Sequence, residues 1–438
     1  MRSTEPALTL RYMDSAMPTT ASRRGGDRLA SLLFVHLGLI GCICLQRFCV
    51  YFGGSPLFLC FPLFLALVGW MLATERAEFR PLSLGFYGAF AVVAVISALF
   101  AVNAPDPRIE GFSLASLLGI LILYAGLTIR PTARFDGSQT FTIFIFYVRL
   151  TAVLGIIQYL AQFAGVRLFS FMLAVPSLRP ILAEPLYNYH PVVAYGSSVL
   201  RSNGFFLLEP SIFSQLLALG MLVDFFIRRE WRFLPLYGIA YLFTYAGTGL
   251  LALSIACVLY PLFDRRDIWR MLAFAALALA LILIGALAFP DQFGALAGRT
   301  DELSATGSSA HARYMTQFDV IASVWGETRV LIGLGPGALE RAHFFAMGGG
   351  NAALKLFVEY GVFGLLSFMT FFLASLWRRP IAIVSLFLFV NFQLGGGNLL
   401  FPPLVILAAI LCIWSDGNDP TRSVPGRAAF VLRSERHR

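Results

Sequence analysis

Arg201 and Glu209 flank the head of an apolar stretch, V-L-R-S-N-G-F-F-L-L-E-P-S-I-F-S-Q-L-L-A-L-G-M-L-V-D-F-F-I over 199–227. A guanidinium offers a planar fork that suits phosphate oxygens, and a carboxylate can serve as a base or as a helix cap. Pro210 lacks an N–H, so it fits either the first helical position, with Glu209 capping, or a kink inside a longer helix. On the first reading the helix from Pro210 to Ile227 is ~27 Å long, about one hydrocarbon thickness. On the second, the Phe206 carbonyl loses its donor and needs another partner. Either way Glu209 lies near the outer rim of a bilayer, where a carboxylate is costly unless something uses it. A second group is Asn351, Lys355 and Glu359, spaced to form one polar stripe on an otherwise apolar helix that enters from outside. Lys355 is the only lysine of the chain and falls ~6 Å below that helix start. A third group, His311, Arg313 and Gln317, opens a pattern in which Tyr314, Phe318, Ile321 and Trp325 recur at helical spacing. That pattern predicts an amphipathic helix resting on a membrane or on the bundle.

Each of these residues has a plainer reading. Arg201 and Arg313 also suit anchorage of loops to lipid headgroups, and Glu209 suits a cap or a partner for Arg201. Lys355 and Glu359 suit mutual neutralisation, although lysine ahead of glutamate is the weaker order. Arg149 falls mid-span and reads as structural, with Asp224 within reach if the arginine snorkels inward. His311 and His343 are loop histidines without metal-ligand spacing around them. The six cysteines all fall in or beside apolar runs, and Cys42 and Cys44 point to opposite sides of a helix, so no metal pair is expected. G-L-G-P-G at 333–337 lacks the third spaced glycine and the later acidic residue of a dinucleotide loop, and reads as a turn.

The elements that position these residues are membrane helices. Apolar residues make up 58% of the chain and charged residues 13%, which excludes an ordinary soluble domain. Apolar runs of about 20 residues recur, the mark of an all-α polytopic membrane protein. The formal net charge of +9 is explained by where the arginines fall, and no nucleic acid is expected as a partner. Residues 1–28 and 416–438 read as cytoplasmic disordered tails around a membrane domain over 29–415. Spans are expected near 30–50, 56–73, 82–102, 112–129, 140–164, 210–227, 271–289 and 351–376. The segments 233–263 and 381–414 are longer and break mid-way, at Ala246-Gly247-Thr248-Gly249 and Gly395-Gly396-Gly397-Asn398. Arginine flanks both ends of both, so each should return to the side it entered from, as a short broken hairpin. That gives about 12 transmembrane helices with both termini inside, and the arginine bias favours it. Two long loops, 165–203 and 290–349, are then outside, and loops of that length usually carry function.

At this level the chain resembles a known family. R-S-N-G-F-F-L-L-E-P-S-I-F-S-Q is similar to the start of the central helix in the O-antigen ligase and Wzy-type polysaccharide polymerase family. H-A-R-Y-M-T-Q-F-D-V-I followed by V-L-I-G-L-G-P-G-A-L-E resembles its second periplasmic loop, and Gly350 to Gly364 looks like its loop-to-helix junction. The resemblance covers about residues 140–415. It implies a GT-C-like glycosyltransferase of the bacterial inner membrane, with its active site facing the periplasm. Its donor would be an undecaprenyl-diphosphate-linked oligosaccharide, without cofactor, metal or nucleotide sugar, and a chain-length regulator is a possible partner. Arg201 and Arg313 are then the candidate ligands of the diphosphate and Glu209 the candidate base, with Lys355, Asn351, His311 and His343 as candidate substrate contacts. Two departures stand out. Gly350 sits where family ligases carry a histidine, and Gly247-Thr248-Gly249 replaces a Ser-Arg pair. The first leans the reading from ligase toward exopolysaccharide polymerase.

Two rivals remain. A ligase shares the fold and differs in acceptor. A transporter or flippase also uses broken helices at membrane depth. Against it, the chain has no internal repeat, and its polar residues gather on the outer side.

Overall fold

The computed structural model describes residues 20–415, apart from 53–54, 108, 110, 170, 184–191, 194–196, 264–267, 289–315, 342–349 and 396. Its helices begin with α1 (Thr20–Leu39, continued by a π-turn to Cys44), α2 (Cys60–Ala73), α3 (Pro81–Asn103), α4 (Leu114–Ala125), α5 (Thr140–Ala161) and α6 (Pro210–Leu222, continued by a π-turn to Arg228). After these come α7 (Leu234–Leu242), α8 (Thr248–Leu259) and α9 (Ile268–Ala288). Three short helices, α10 (Thr316–Val324), α11 (Arg329–Ile332) and α12 (Ala338–Arg341), precede α13 (Ala352–Leu376), α14 (Ala382–Leu394) and α15 (Pro402–Cys412). Among the described residues, 5 helices are long and apolar enough to cross a membrane, and five more apolar helices are shorter. The molecule is a helical membrane protein. α6 is its centre: 72% of its most apolar window is buried within the protein, against 22% for α3. On α3, Val92, Ile96 and Leu99 are apolar yet exposed, the face that lipid would cover.

Two expectations change. The first helix begins at Thr20, inside the stretch read as a tail, and Asp27 ties it to Arg76 at 2.8 Å. The helical fold also carries two short antiparallel ribbons, β1 (Cys49–Phe52) with β2 (Ser55–Phe58), and β3 (Ala77–Phe79) with β4 (Ile129–Pro131). The span expected over 30–50 stops at Cys44, because Pro56 and the paired glycines at 53–54 favour a hairpin over further helix. The tail segments 1–19 and 416–438 lie outside the described residues.

Both broken segments form the expected hairpins. In the second, Ser385 near the start of α14 meets Cys412 at the end of α15, 3.6 Å apart. In the first, Tyr237 of α7 donates to Asp224 (2.6 Å) and Tyr260, just past α8, packs on Phe226. Both arms therefore return to one end of α6. At the other end of the hairpin, a Cβ on Gly249 would meet the Ser214 carbonyl oxygen at 2.3 Å, so only glycine permits α8 to lie against α6 there.

The bundle has two polar ends. One gathers Asp27, Arg76, Glu78, Arg130 and Arg134 in ion pairs, together with a cluster below α6. In that cluster Arg149 lies 2.8 Å from Asp224 and 2.6 Å from Glu230, and Arg228 lies 2.5 Å from Glu230. The Arg149–Asp224 pair is the one the sequence points to. The Glu230 carboxyl sits below its ordinary range: partial burial opposes ionisation, but bonds from Arg149 and Arg228 outweigh it. At the opposite end lie the mouth of α6, both hairpin tips and the start of α13.

Candidate functional site

The mouth of α6 is built from a knot of amides and hydroxyls with one buried guanidinium, Arg47. Pro210 occupies the first helical position and Glu209 the N-cap in extended backbone, so the first of the two sequence readings holds. The Glu209 carbonyl accepts from Phe213 N (3.1 Å). Its carboxylate leaves the cap free and instead accepts from Ser211 Oγ (2.8 Å). Among the described residues Glu209 has no ion pair. The loop before it is pinned from both sides. Gln158 of α5 and Asn203 exchange two hydrogen bonds (2.9 and 3.1 Å), and Ser202 Oγ donates to Gly155 O (2.9 Å). Asn203 Nδ2 donates to Leu207 O (2.6 Å), and the same carbonyl accepts from Arg47 Nε and Nη2 (3.2 and 3.1 Å). Gln46 Oε1 accepts from Leu208 N (3.0 Å). Gly204 and Phe205 both take positive φ, near 70°, and a Cβ on Gly204 would meet Phe213 at 2.7 Å. The S-N-G-F run is therefore the one that lets the chain turn tightly under α6.

Arg201 projects from this loop. Its Nε donates to Val192 O (2.8 Å), which fixes the arm of the side chain. Arg201 lines a small cavity with Gln162, Tyr159, Phe169 and a second arginine, Arg167. No carboxylate is among the described residues that line it. Sequence reasoning missed both Arg167 and Arg47. Arg47 is 1% exposed, yet its partner carbonyl lies 160 positions away, beyond any local pattern.

The junction group forms a second cluster. Asn351 caps α13, its side chain accepting from Leu354 N (2.8 Å). Lys355 Nζ lies 2.9 Å from Glu359 and also clasps Glu340 of α12. α13 breaks at Gly361 (φ 67°, ψ −170°). The G-L-G-P-G turn fills the break: Leu334 N donates to Val358 O (2.8 Å) and Gly335 N to Glu359 O (3.0 Å), while Ser97 Oγ donates to Glu359 O (2.7 Å). These bonds satisfy carbonyls that the kink would otherwise orphan. A Cβ on Gly333 or Gly361 would come within 2.3 Å of the facing backbone. The turn read from sequence is thus a plug seated in a broken helix.

The tip of the second hairpin joins the two clusters. Asn391 donates to Gln215 of α6 (3.3 Å), and Gly397 N donates to Gly350 O beside Asn351 (3.4 Å). A cavity of about 30 Å³ lies between, bordered by Gln46, Leu207, Gln215, Asn391 and Asn398. Arg201 and Glu209 therefore share one end of the bundle with Asn351 and Lys355. Arg313, His311 and His343 lie outside the described residues. The amphipathic helix expected beside Arg313 is found as α10. There Ile321 and Val324 pack toward the Leu334–Leu339 turn and α13, while Phe318, and Trp325 just past the helix end, are exposed (68% and 70%).

Chemically, this end offers arginine forks for an oxyanion, a carboxylate poised by a hydroxyl, and amides around a small gap. Residues 34–344 match the protein-family model described as WcaD colanic acid polymerase. No curated protein and no solved structure matches the chain.

Proposed function

The chain belongs to the WcaD colanic acid polymerase family, and on that premise we propose that it polymerises undecaprenyl-diphosphate-linked repeat units at the periplasmic face of a bacterial inner membrane. In the topology of this reading the chain crosses about 12 times with both termini inside. The end with the α6 mouth then faces the periplasm, and the arginine–carboxylate end faces the cytoplasm. The acceptor sugar hydroxyl attacks the anomeric carbon of the donor glycan. The bond from that carbon to the diphosphate oxygen breaks, and undecaprenyl diphosphate leaves with its electron pair. Glu209 takes the hydroxyl proton, and Arg201 and Arg313 stabilise the diphosphate as charge develops on it. Arg167, on the same cavity as Arg201, supplies a further fork. Asn351 and Lys355, at the start of α13, are proposed as further substrate contacts, with His311 and His343 as sugar contacts, and a chain-length regulator is the expected protein partner. No metal is needed, because arginines supply the charge that a cation would.

The observation that carries this reading is the family match, which runs from α1 through the α6 mouth to the turn that plugs α13. The test is polymer formed from carrier-linked repeat units by purified protein in liposomes. Glu209→Gln keeps size and hydrogen bonding but removes basicity. It should bind the carrier-linked unit normally and lose chain growth by about 10²-fold or more. Normal polymer from Glu209→Gln would return Glu209 to a structural role at the mouth.

A further inference from the structure

The gap of about 30 Å³ beside the α6 mouth follows one face of that helix, where Ile212, Gln215 and Leu219 border it. Asn391 of α14, Gln46 and Asn398 bring three more amides to it, and every other described side chain on it is apolar. One water needs about 10–15 Å³ of such space, so the gap has room for a hydroxyl with its carbon. We infer that it receives a hydroxyl-bearing edge of the substrate glycan, with Asn391 Oδ1 accepting from a sugar O–H. The nature of the ligand rests on the polymerase reading, and the site rests on the geometry of the amides.

Most of these amides are already engaged by the protein. Gln46 Oε1 accepts from Leu208 N (3.0 Å), and its Nε2 donates to Cys42 O (3.4 Å). Asn398 Nδ2 donates to Asn391 O and Phe392 O (3.0 and 3.3 Å). Asn391 Nδ2 donates to Gln215 Oε1 (3.3 Å). The other terminus of Asn391 is left over. The residue is 2% exposed, and its Oδ1 has no hydrogen-bond partner among the described residues. A buried acceptor in that state lowers stability unless a bound group donates to it. The bonds to Gln215 and Asn398 hold the side chain and backbone of Asn391, so the acceptor is fixed before any ligand arrives.

The lining also selects the chemistry. Among the described residues no charged side chain borders the gap, so it does not suit a diphosphate, which calls for cations. An apolar group would leave Oδ1 unpaired. A neutral hydroxyl on a carbon skeleton satisfies both walls, because it donates to the amide and lays its carbons on leucine. Leu207 borders the same gap and precedes Glu209 by two positions, so the gap adjoins the proposed reaction site. A trapped water presents the same donor, and the experiment separates it from a glycan.

The full-length protein, purified in a neutral detergent, is titrated with carrier-linked repeat units from producing cells and, in parallel, with undecaprenyl diphosphate alone. Its thermal midpoint is followed. In Asn391→Leu the half-maximal concentration of the carrier-linked unit should rise about fivefold, the effect of one neutral hydrogen bond. The value for undecaprenyl diphosphate should not move. The variant loses an unpartnered oxygen, so its unliganded midpoint should hold. Should it not fold, Gln215→Leu gives the second reading: it releases the Asn391 amide to turn, and the same selective weakening is expected. In liposomes the folded variant should raise KM for the carrier-linked unit by a similar factor with kcat near wild type, as for a bond made alike in ground and transition states. If folded variants bind the carrier-linked unit as wild type does, the gap holds water only and the inference is overturned. Equal weakening toward the bare carrier overturns it too, and gives the gap to lipid. So does a wild type that binds the two compounds alike. A wild type that prefers the glycan-bearing compound and makes no polymer sinks the polymerase reading and leaves this site standing.

Discussion

At its mouth α6 hangs from amides, hydroxyls and one buried guanidinium, whereas at its other end it is tied by two arginines, two carboxylates and a tyrosine. Gln158, Asn203, Ser202 and Gln46 fix the backbone around Glu209 with neutral bonds, and the Glu209 carboxylate meets only a serine hydroxyl among those described. Below, Asp224 is fully buried and accepts from both Arg149 and Tyr237, with a π-turn over Val223–Arg228 opening the helix at that point. π-turns usually mark strain or function, and here the turn coincides with the ion pairs. The difference separates two uses of charge. Where charges satisfy one another they hold the fold. At the mouth, built mainly from amides and hydroxyls, the Glu209 carboxylate has no ion-pair partner among the described residues.

The largest effect should come from breaking the lower end. Asp224→Ala leaves Arg149 in a half-buried position with one carboxylate fewer, a change that typically costs about 3–5 kcal/mol. The thermal midpoint of extracted protein should fall sharply, while polymer formed per folded molecule should stay near wild type. A wild-type midpoint would show that these charges do not secure α6.

The mouth should respond in the opposite sense. Arg201→Lys keeps the charge and loses the fork, so polymer formation should drop on the order of 10²-fold with little change in midpoint. Wild-type polymer levels at equal protein in the membrane would sink the fork assignment.

How much of this could be read beforehand follows from the range of each interaction. Helix positions were legible because a span is a local run of apolar residues bounded by arginine, and both hairpin breaks were legible because glycine clusters interrupt those runs. The cap at Asn351 and the Lys355–Glu359 pair lie within two turns of one helix, so spacing alone finds them. Glu340, which also clasps Lys355, sits in a separate helix and carries no local signal. Gly361 looks like any glycine in an apolar helix, and its kink is evident only once the 333–337 turn is seen to supply the missing donors. Arg47 is the extreme case, a guanidinium at the end of the first span that holds a carbonyl in a distant loop. Arg167 sits in a loop with no pattern, and the cavity it shares with Arg201 exists only in three dimensions.

The finest separation between the two ends is by pH, because amides do not titrate and carboxylates do. Glu230 is held below its ordinary range, since the bonds from Arg149 and Arg228 outweigh the cost of its partial burial. A carboxyl depressed in the folded state contributes stability that is complete above the unfolded carboxyl pKa, about 4.3 for glutamate. That contribution is lost as pH falls through the lower folded value. Glu230→Gln removes it, so at neutral pH the variant should melt below wild type. The gap between the two should hold down to roughly pH 5 and then narrow on further acidification, as wild type loses what the variant never had. Asn203→Ala at the mouth removes only neutral bonds, worth about 1 kcal/mol each. Its deficit should therefore stay constant across the same range. Parallel melting curves for wild type, Glu230→Gln and Asn203→Ala between pH 3.5 and 7.5 give the measurement, with the pH limits set about the glutamate value. If the Glu230→Gln gap stays constant while the Asn203→Ala gap narrows, the assignment of charged and neutral anchoring to the two ends of α6 is reversed.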